Sequence, residues 1–284
     1  MKQICLLLLF TIYGQVYADT SVWKVSNGQY SLYIGGTIHV LSKQDYPLPD
    51  AYNQAYQRSQ HLVFETDIDA SSDAAFFSRL SQILTYKNGR SLRSALSPAT
   101  FRQLEDYCRQ ANIPLATLLP LKPPFAALML TALELQKLGI DTAGVDQHFN
   151  QLARKDGKSV GQLETIDEQL AFLANMARGS EDELILSTLR ENQQLDKHMD
   201  LIREAWRQGN NAALNRQFVQ PLLIEFPLIY QELLVQRNRN WLPQITKMLR
   251  DENTEFILVG TLHLVGRDGL IQQLQRLGYK TEQL

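Results

Sequence analysis

The apolar run E-F-I-L-V-G at residues 255–260 decides the fold. Apolar side chains on both faces of a short segment are typical of a central strand in a parallel sheet, which helices cover on both sides. The run continues into G-T-L-H at 260–263, and the same pattern occurs in Y-I-G-G-T-I-H-V-L at 33–41. We therefore expect two strands, far apart in the chain, that end in the same way.

Further strand signals surround these two segments. The alternating runs S-V-W-K-V-S (21–26) and Q-Y-S-L-Y-I-G (29–35) are joined by Asn-Gly at 27–28, which predicts a β-hairpin. A predicted helix at 49–59 leads into H-L-V-F-E-T-D (61–67), a third strand. This strand–helix–strand unit predicts parallel pairing of its two strands through a right-handed crossover.

The middle of the chain is mostly helical in its periodicity. The predicted helices are 73–84, 98–110, 124–137, 144–156, 167–177, 181–208, 211–220 and 225–250, with a short strand at 158–163, a helix at 266–277 and an edge strand at 279–284. The predicted fold class is α/β, with a mixed, largely parallel central sheet built from both chain ends. A large helical insertion spans about 72–250.

The N-terminal segment has the features of a signal peptide. Lys2 precedes the apolar stretch 4–13, and V-Y-A at 16–18 predicts cleavage after Ala18. We expect residues 1–18 to be removed and residues 19–284 to form a single α/β domain in the bacterial periplasm, with secretion as the second choice. A short N-terminal anchor is the alternative.

Composition narrows the functional classes. The full chain carries a formal net charge of −2 and 44% hydrophobic residues, without the basic stripe of a nucleic-acid binder. The mature chain would keep Cys108 alone, so no intramolecular disulfide can form, and we expect no stable membrane span in it.

The paired G-T-x-H segments suggest a metal site. His39 and His263 each lie just past the C-terminal end of a predicted strand, where α/β sheets bind their ligands. Glu65 ends the third strand and should reach the same edge. Two imidazoles and a carboxylate suit a divalent transition metal with open positions. The alternative is a pair of capped turns with hydrogen-bonded core histidines.

Four other polar residues are candidates for the same site. Arg237, on a predicted helix, could hold a substrate carboxylate or an oxyanion, or could face solvent. Asp67 should point to the same side as Glu65 and could serve as an extra ligand or base. Asp146 is a helix N-cap, a hydrogen-bond partner for a histidine, or a ligand itself. Glu164 could face the crevice, but we favour a place in the first turn of the next helix.

The segments G-T-I-H-V-L, V-F-E-T-D and V-G-T-L-H-L-V-G-x-x-G-L resemble the TraB/PrgY/GumN family, which includes the TIKI metalloproteases. The resemblance covers roughly residues 22–284. It implies an α/β core akin to the erythromycin-esterase and ChaN-like folds, and a divalent-metal-dependent peptidase activity. It also implies that His39, His263 and Glu65 are the metal or catalytic positions.

We therefore expect an exported metal-dependent hydrolase with a peptide or protein substrate. His39, Glu65 and His263 would hold a divalent ion (Mn, Co or Zn), Glu65 or Asp67 would assist proton transfer, and Arg237 would orient the substrate. Two alternatives stay open: a haem- or iron-binding protein without catalysis, and a partner-binding module whose helical insertion carries the interface.

Overall fold

The fold is that of a computed structural model, which describes residues 20–70 and 74–284. Its strands are β1 (Val22–Ser26), β2 (Ser31–Thr37), β3 (Val40–Leu41), β4 (His61–Phe64), β5 (Thr142–Ala143), β6 (Ser159–Gln162), β7 (Glu255–Gly260) and β8 (Lys280–Gln283). The predicted signal peptide, residues 1–18, lies outside the described residues.

The α-helices in the described part of the chain are α1 (Asp50–Arg58), α2 (Ala74–Leu84), α3 (Leu92–Ala95), α4 (Pro98–Gln110), α5 (Leu115–Leu118), α6 (Pro123–Lys137), α7 (Val145–Asp156), α8 (Ile166–Asn175), α9 (Glu181–Asn192), α10 (Leu195–Arg207), α11 (Asn211–Leu214), α12 (Gln220–Glu225), α13 (Pro227–Tyr230), α14 (Arg237–Met248) and α15 (Leu270–Arg276). Two π-helical segments, Asn215–Val219 and Gln231–Gln236, connect helices, and a 3-10 turn, Thr261–His263, follows β7.

The central sheet has six strands in the order β6-β4-β7-β2-β1-β8. The first four strands are mutually parallel, whereas β1 pairs antiparallel with both β2 and β8. This confirms an α/β fold with a mixed, mostly parallel sheet drawn from both ends of the chain. Because β7 is apolar on both faces, it occupies an interior position, as its sequence predicts.

One predicted pairing is wrong. β2 and β4 are parallel, but β7 lies between them and pairs with both: Thr37 is opposite Gly260, and Phe64 is opposite Leu258. The local strand–helix–strand pattern sets the direction of β2 and β4. It cannot show that an apolar strand from the far end of the chain will insert between them.

One helical prediction differs from the structure: the predicted helix 181–208 is interrupted at Gln193–Gln194, between α9 and α10. The predicted helix 225–250, which we expect to be interrupted or to start near Pro227, does begin at Pro227, and it passes through a π-helical segment before α14. Pro243 lies inside α14 without ending it.

Helices cover both faces of the sheet. On one face, Trp241, Ile245 and Leu274 from α14 and α15 pack against Ile34 and Ile257. On the other face, α1 and α7 supply their own aromatic and aliphatic side chains. A third apolar cluster is formed by side chains of the four helices α3 to α6 and of α9. It shares no residue with either core of the sheet.

Among the described residues, no single helix is long and apolar enough to cross a membrane. One sharply bent helix pair, Asn211–Glu225 with Pro227–Met248, reaches that threshold by length and composition only.

Candidate functional site

Three parallel strands deliver the predicted site residues to one edge of the sheet. His39 lies two residues past β2, His263 ends the 3-10 turn after β7, and Glu65 directly follows β4. Since β7 lies between β2 and β4, its last residue, Gly260, stands at the centre of this edge. The topology therefore brings together three side chains that are far apart in the sequence.

The three side chains surround Gly260. A Cβ at this position would lie 3.2 Å from Glu65 Oε1, 3.6 Å from His263 Cδ2 and 3.8 Å from His39 Nε2. The Gly260 N–H donates to Glu65 Oε1 at 2.6 Å, and His263 Nε2 lies 3.8 Å from the same oxygen. A side chain at position 260 would crowd this space, so glycine keeps the centre of the cluster open.

Arg237 joins the cluster from the first position of α14. Its Nη2 donates to Glu65 Oε2 at 2.5 Å, and its Nη1 donates to His263 Nε2 at 3.1 Å. The guanidinium also stacks over the Trp241 ring, 4.7 Å from the centroid. Arg237 is buried. The structure therefore places it within the cluster, not on a solvated helix face.

Glu164 is the second buried carboxylate beside Arg237, and the sequence interpretation that placed it in the first turn of the next helix missed its role. Arg237 Nε donates to Glu164 Oε2 at 3.0 Å, and Nη2 donates to Oε1 at 2.7 Å. The neighbouring strands β4 and β6 both run into Glu-Thr, at 65–66 and 164–165, and the Glu164 N–H donates to the Glu65 carbonyl at 2.9 Å. This repeated Glu-Thr was the sequence signal for two carboxylates at one edge.

Asn238 fixes the tautomer of His263. Its Nδ2 donates to the carbonyls of His263 and Asp268 at 3.1 and 2.9 Å, so its Oδ1 faces His263 Nδ1 at 2.8 Å. His263 Nδ1 therefore carries the proton and donates it, which leaves the Nε2 lone pair for Arg237. Burial lowers the pKa of His263 to about 3, so the imidazole is neutral.

Asp146 orients His39 from the first turn of α7. Its Oδ2 lies 2.8 Å from His39 Nδ1, and its negative charge raises the pKa of His39 to about 9. The His39 side chain is 64% exposed, whereas the Asp146 side chain is buried. A carboxylate on Nδ1 is the usual arrangement behind a ligating imidazole, since it directs Nε2 outward.

The buried charges do not balance. Burial acts to raise the pKa of Glu65, but the opposing effects of Arg237, His263, His39 and the Gly260 N–H outweigh it and lower the pKa to about 2. Arg237 also pairs with Glu164. For Glu164, the effect of burial outweighs that of the guanidinium, so the pKa of the Glu164 carboxyl is raised. Two carboxylates thus share one guanidinium, and the cluster can accept further positive charge.

Asp67 lies in a turn beyond the cluster. Its Oδ1 accepts the N–H groups of Asp69 and Ala70, both at 3.0 Å. No ion pair joins Asp67 to the other described residues. Its role as a ligand or base stays a prediction.

The donor set fits a divalent cation by its chemistry. His263 Nε2 and Glu65 are nitrogen and oxygen donors that transition metals accept, and both imidazoles are oriented through Nδ1. With its pKa raised to about 9, His39 would have to release its Nε2 proton before that nitrogen could bind an ion. Within 20–70 and 74–284, no three His, Cys, Asp or Glu side chains form a ready metal-binding group. Arg237 already donates to His263 Nε2, so the guanidinium and an ion would compete for that lone pair.

Comparison with known proteins places the chain in a family. The TraB/PrgY/gumN family model matches residues 21–283. YbaP of Escherichia coli strain K12 is 26% identical over 267 residues, covering 92% of this chain and 94% of that protein. Metalloprotease TIKI1 of Danio rerio is 21% identical over 316 residues, covering 93% of this chain and 63% of that protein. No solved structure matches significantly. The chain therefore belongs to the TraB/PrgY/gumN family.

Proposed function

We propose that this protein is a hydrolase that cleaves peptide bonds with the help of a divalent ion. The observation that carries the proposal is the convergence of two oriented imidazoles and a carboxylate around Gly260. The distant similarity to the metalloprotease TIKI1 supports the reaction class. His39, Glu65 and His263 would hold the ion, with Mn, Co or Zn as candidates.

Side chains of the protein would supply the remaining catalytic roles. A divalent ion, when bound, lowers the pKa of its water and polarises a carbonyl group. Glu65 suits an electrostatic or ligand role more than that of a general base, because its lowered pKa makes it a weak base. Asp67, two residues further on, is the alternative proton acceptor. Arg237 would stabilise negative charge that develops on the scissile carbonyl oxygen.

We also propose that the protein is exported to the periplasm after loss of residues 1–18, and that its sheet is of the erythromycin-esterase/ChaN-like type. The apolar segment 4–13 with V-Y-A at 16–18 supports export. Processing would appear as an N-terminus at residue 19 in protein recovered from a periplasmic fraction.

Metal analysis combined with hydrolysis tests the proposal. We expect mature protein to contain about one divalent ion per chain and to cleave fluorescently labelled casein with added Mn, Co or Zn. A chelator should lower the melting temperature, because an ion that binds only the native state stabilises it. His39→Ala and His263→Ala should each abolish the metal content, the hydrolysis and the chelator effect.

His198→Ala is the matched control, because His198 lies on α10 and pairs with Glu191 outside the cluster. This variant should behave like the wild type in all three measurements. Wild-type protein that carries no stoichiometric divalent ion and gains no hydrolysis with any of the three metals contradicts the proposal.

A further inference from the structure

A cleft of about 800 Å³ opens next to the candidate site, between α8 and the helical stretch Gln231–Met248. One wall is formed by residues of α8, and the other by residues of the long helical stretch. The lining residues are Leu163, Glu164, Glu168, Ala171, Phe172, Asn175, Glu232, Gln236, Arg237, Arg239, Asn240, Pro243 and Gln244.

The two walls of the cleft run in opposite directions. The Gln244 side chain donates to the Leu163 carbonyl at 2.7 Å, next to the start of α8, whereas Asn175 at the end of α8 lies at the Glu232 end. The α-helical part of this wall, from Arg237 to Gln244, rises by about 10 Å, and the π-helical turn adds to it. An extended segment of at least three residues, at roughly 3.3 Å each, fits along this length.

The floor of the cleft is shared with the candidate site. Glu164 and Arg237 line the cleft, and the same guanidinium donates to Glu65 and His263. A molecule in the cleft would therefore lie against the group that we expect to contact the scissile carbonyl. The cleft is in the correct place for the part of a substrate that flanks the cleaved bond.

The lining is built for a polar, extended ligand. Four carboxamides line the cleft, on Asn175, Gln236, Asn240 and Gln244. The NH₂ groups of Asn175 and Gln236 each donate one hydrogen within the protein and keep a second hydrogen for a ligand. The π-helical turn that contains Gln236 lies at the cleft, and π-helical turns are frequent at functional sites.

The charges of the cleft favour a basic ligand. Glu168 and Glu232 are both exposed, and Arg239 is the only lining guanidinium not already paired with carboxylates in the described part of the chain. At the floor, the Glu164 carboxylate and the Arg237 guanidinium pair with each other, so they add no net charge. The lining therefore carries more negative than positive charge.

We propose that this cleft binds an extended peptide segment of the substrate and that Glu232 and Glu168 select a basic side chain in it. The inference rests on the proposed function, because it assumes a peptide substrate, and it adds where that substrate lies and which charge it carries.

Fluorescence anisotropy with three labelled hexapeptides tests the cleft. The peptides are alanine–serine sequences that differ only in a central Lys, Gln or Glu, and EDTA is present so that binding is measured without hydrolysis. We expect the Lys peptide to bind about tenfold more tightly than the Glu peptide. Gln236→Trp and Asn240→Trp should weaken binding of the Lys peptide by about tenfold or more, because the indole fills the cleft.

Matched control variants distinguish a loss of binding in the cleft from a general effect of the substitution. Gln231→Trp changes an exposed glutamine of the same π-helical turn that does not line the cleft, and it should bind as the wild type does. Glu232→Gln should reduce the preference for Lys over Glu, whereas Glu252→Gln, at an exposed turn outside the cleft, should leave it unchanged.

The outcomes distinguish this inference from the proposed function. Undiminished binding in both Gln236→Trp and Asn240→Trp, or no binding of any of the three peptides by the wild type, overturns the cleft assignment. Casein hydrolysis with an unchanged KM in those two variants overturns it as well. Charge-selective peptide binding that both variants lose, in a protein without hydrolysis, supports the cleft and overturns only the proposed catalysis.

Discussion

At the scale of single residues, Gly260 has the clearest functional consequence. Its position is open only because it has no side chain, and Glu65 Oε1 lies 3.2 Å from where a Cβ would be. We expect Gly260→Ala to displace the Glu65 carboxylate by a few tenths of an ångström and to lower casein hydrolysis by about tenfold or more. The free energy of unfolding should change by less than about 1 kcal/mol, since the backbone angles of Gly260 suit alanine.

Gly161→Ala is the control for this change. The nearest atoms to its Cβ would be 3.9 Å away, an ordinary contact on an exposed strand. Both hydrolysis and unfolding in urea should then match the wild type. If Gly260→Ala also leaves hydrolysis unchanged, the centre of the proposed site lies elsewhere.

Arg237 should affect stability as well as chemistry. Its removal would leave Glu65 and Glu164 buried without the guanidinium that pairs with both of them. Breaking a buried ion pair typically costs about 3–5 kcal/mol, so we expect Arg237→Gln to lower the free energy of unfolding in urea by that amount. Arg267→Gln removes an exposed guanidinium that pairs with Asp268, and it should leave the urea midpoint unchanged. Equal midpoints for the two variants would contradict the buried network.

At this scale, some site residues could be predicted from the sequence and others could not. The expected positions of His39, Glu65 and His263 follow from strand ends, which a single sequence reveals through apolar runs. Asn238 could not be identified in this way, because its function depends on two carbonyl groups that only the folded turn after β7 presents to it.

At the scale of elements, the contact between α7 and the turn after β2 is the most constrained. Gly144 precedes α7, and a Cβ there would lie 2.2 Å from the His39 carbonyl carbon and the Ile38 oxygen. This close approach lets the Val145 N–H donate to the Ile38 carbonyl and brings Asp146 to His39. The G-V-D segment is therefore a docking point for the His39 turn.

Gly144→Ala should push the two elements apart. Overpacking of this kind costs about 1–3 kcal/mol, and the backbone atoms here cannot move as a side chain would, so we expect the upper part of that range. NMR of the His39 ring should show loss of the Asp146 hydrogen bond. Gly161→Ala again serves as the neutral control, and an unchanged His39 signal in Gly144→Ala would contradict the contact.

The strands and helices were more predictable than their arrangement. Alternation and Asn-Gly predicted the β1–β2 hairpin, and the pairing of Val22 with Gly35 confirms it. The interruption between α9 and α10 was not foreseen, because Gln193 and Gln194 are good helix formers and no glycine or proline stands there. Packing of the two helices on different clusters, not local propensity, explains the break.

At the scale of the whole molecule, the apolar cluster of α3 to α6 and α9 is separate from the two sheet cores. Cys108 lies within that cluster at 1% exposure, and burial raises the pKa of its thiol to about 11. Since the thiolate is the reactive form, a maleimide should not label Cys108 in the native protein at neutral pH. In a Cys5→Ser background, labelling therefore reports the opening of this core alone.

We expect labelling of Cys108 at a lower urea concentration than the change in tryptophan fluorescence. Trp23, Trp206 and Trp241 belong to the two sheet cores, which share no member with the core around Cys108. Tryptophan emission and cysteine labelling with the same midpoint would show one cooperative unit instead.

The central place of β7 also has a consequence for biosynthesis. The strand that separates β2 from β4 is encoded at residues 255–260, and β8 at 280–283 then pairs with β1 from the other end of the chain. A ribosome must therefore translate nearly the whole message before the gap between β2 and β4 can be filled and before β1 gains its outer neighbour. Until then the nascent polypeptide lacks the strand that joins the two halves of its sheet, so the sheet cannot be completed in the order of synthesis.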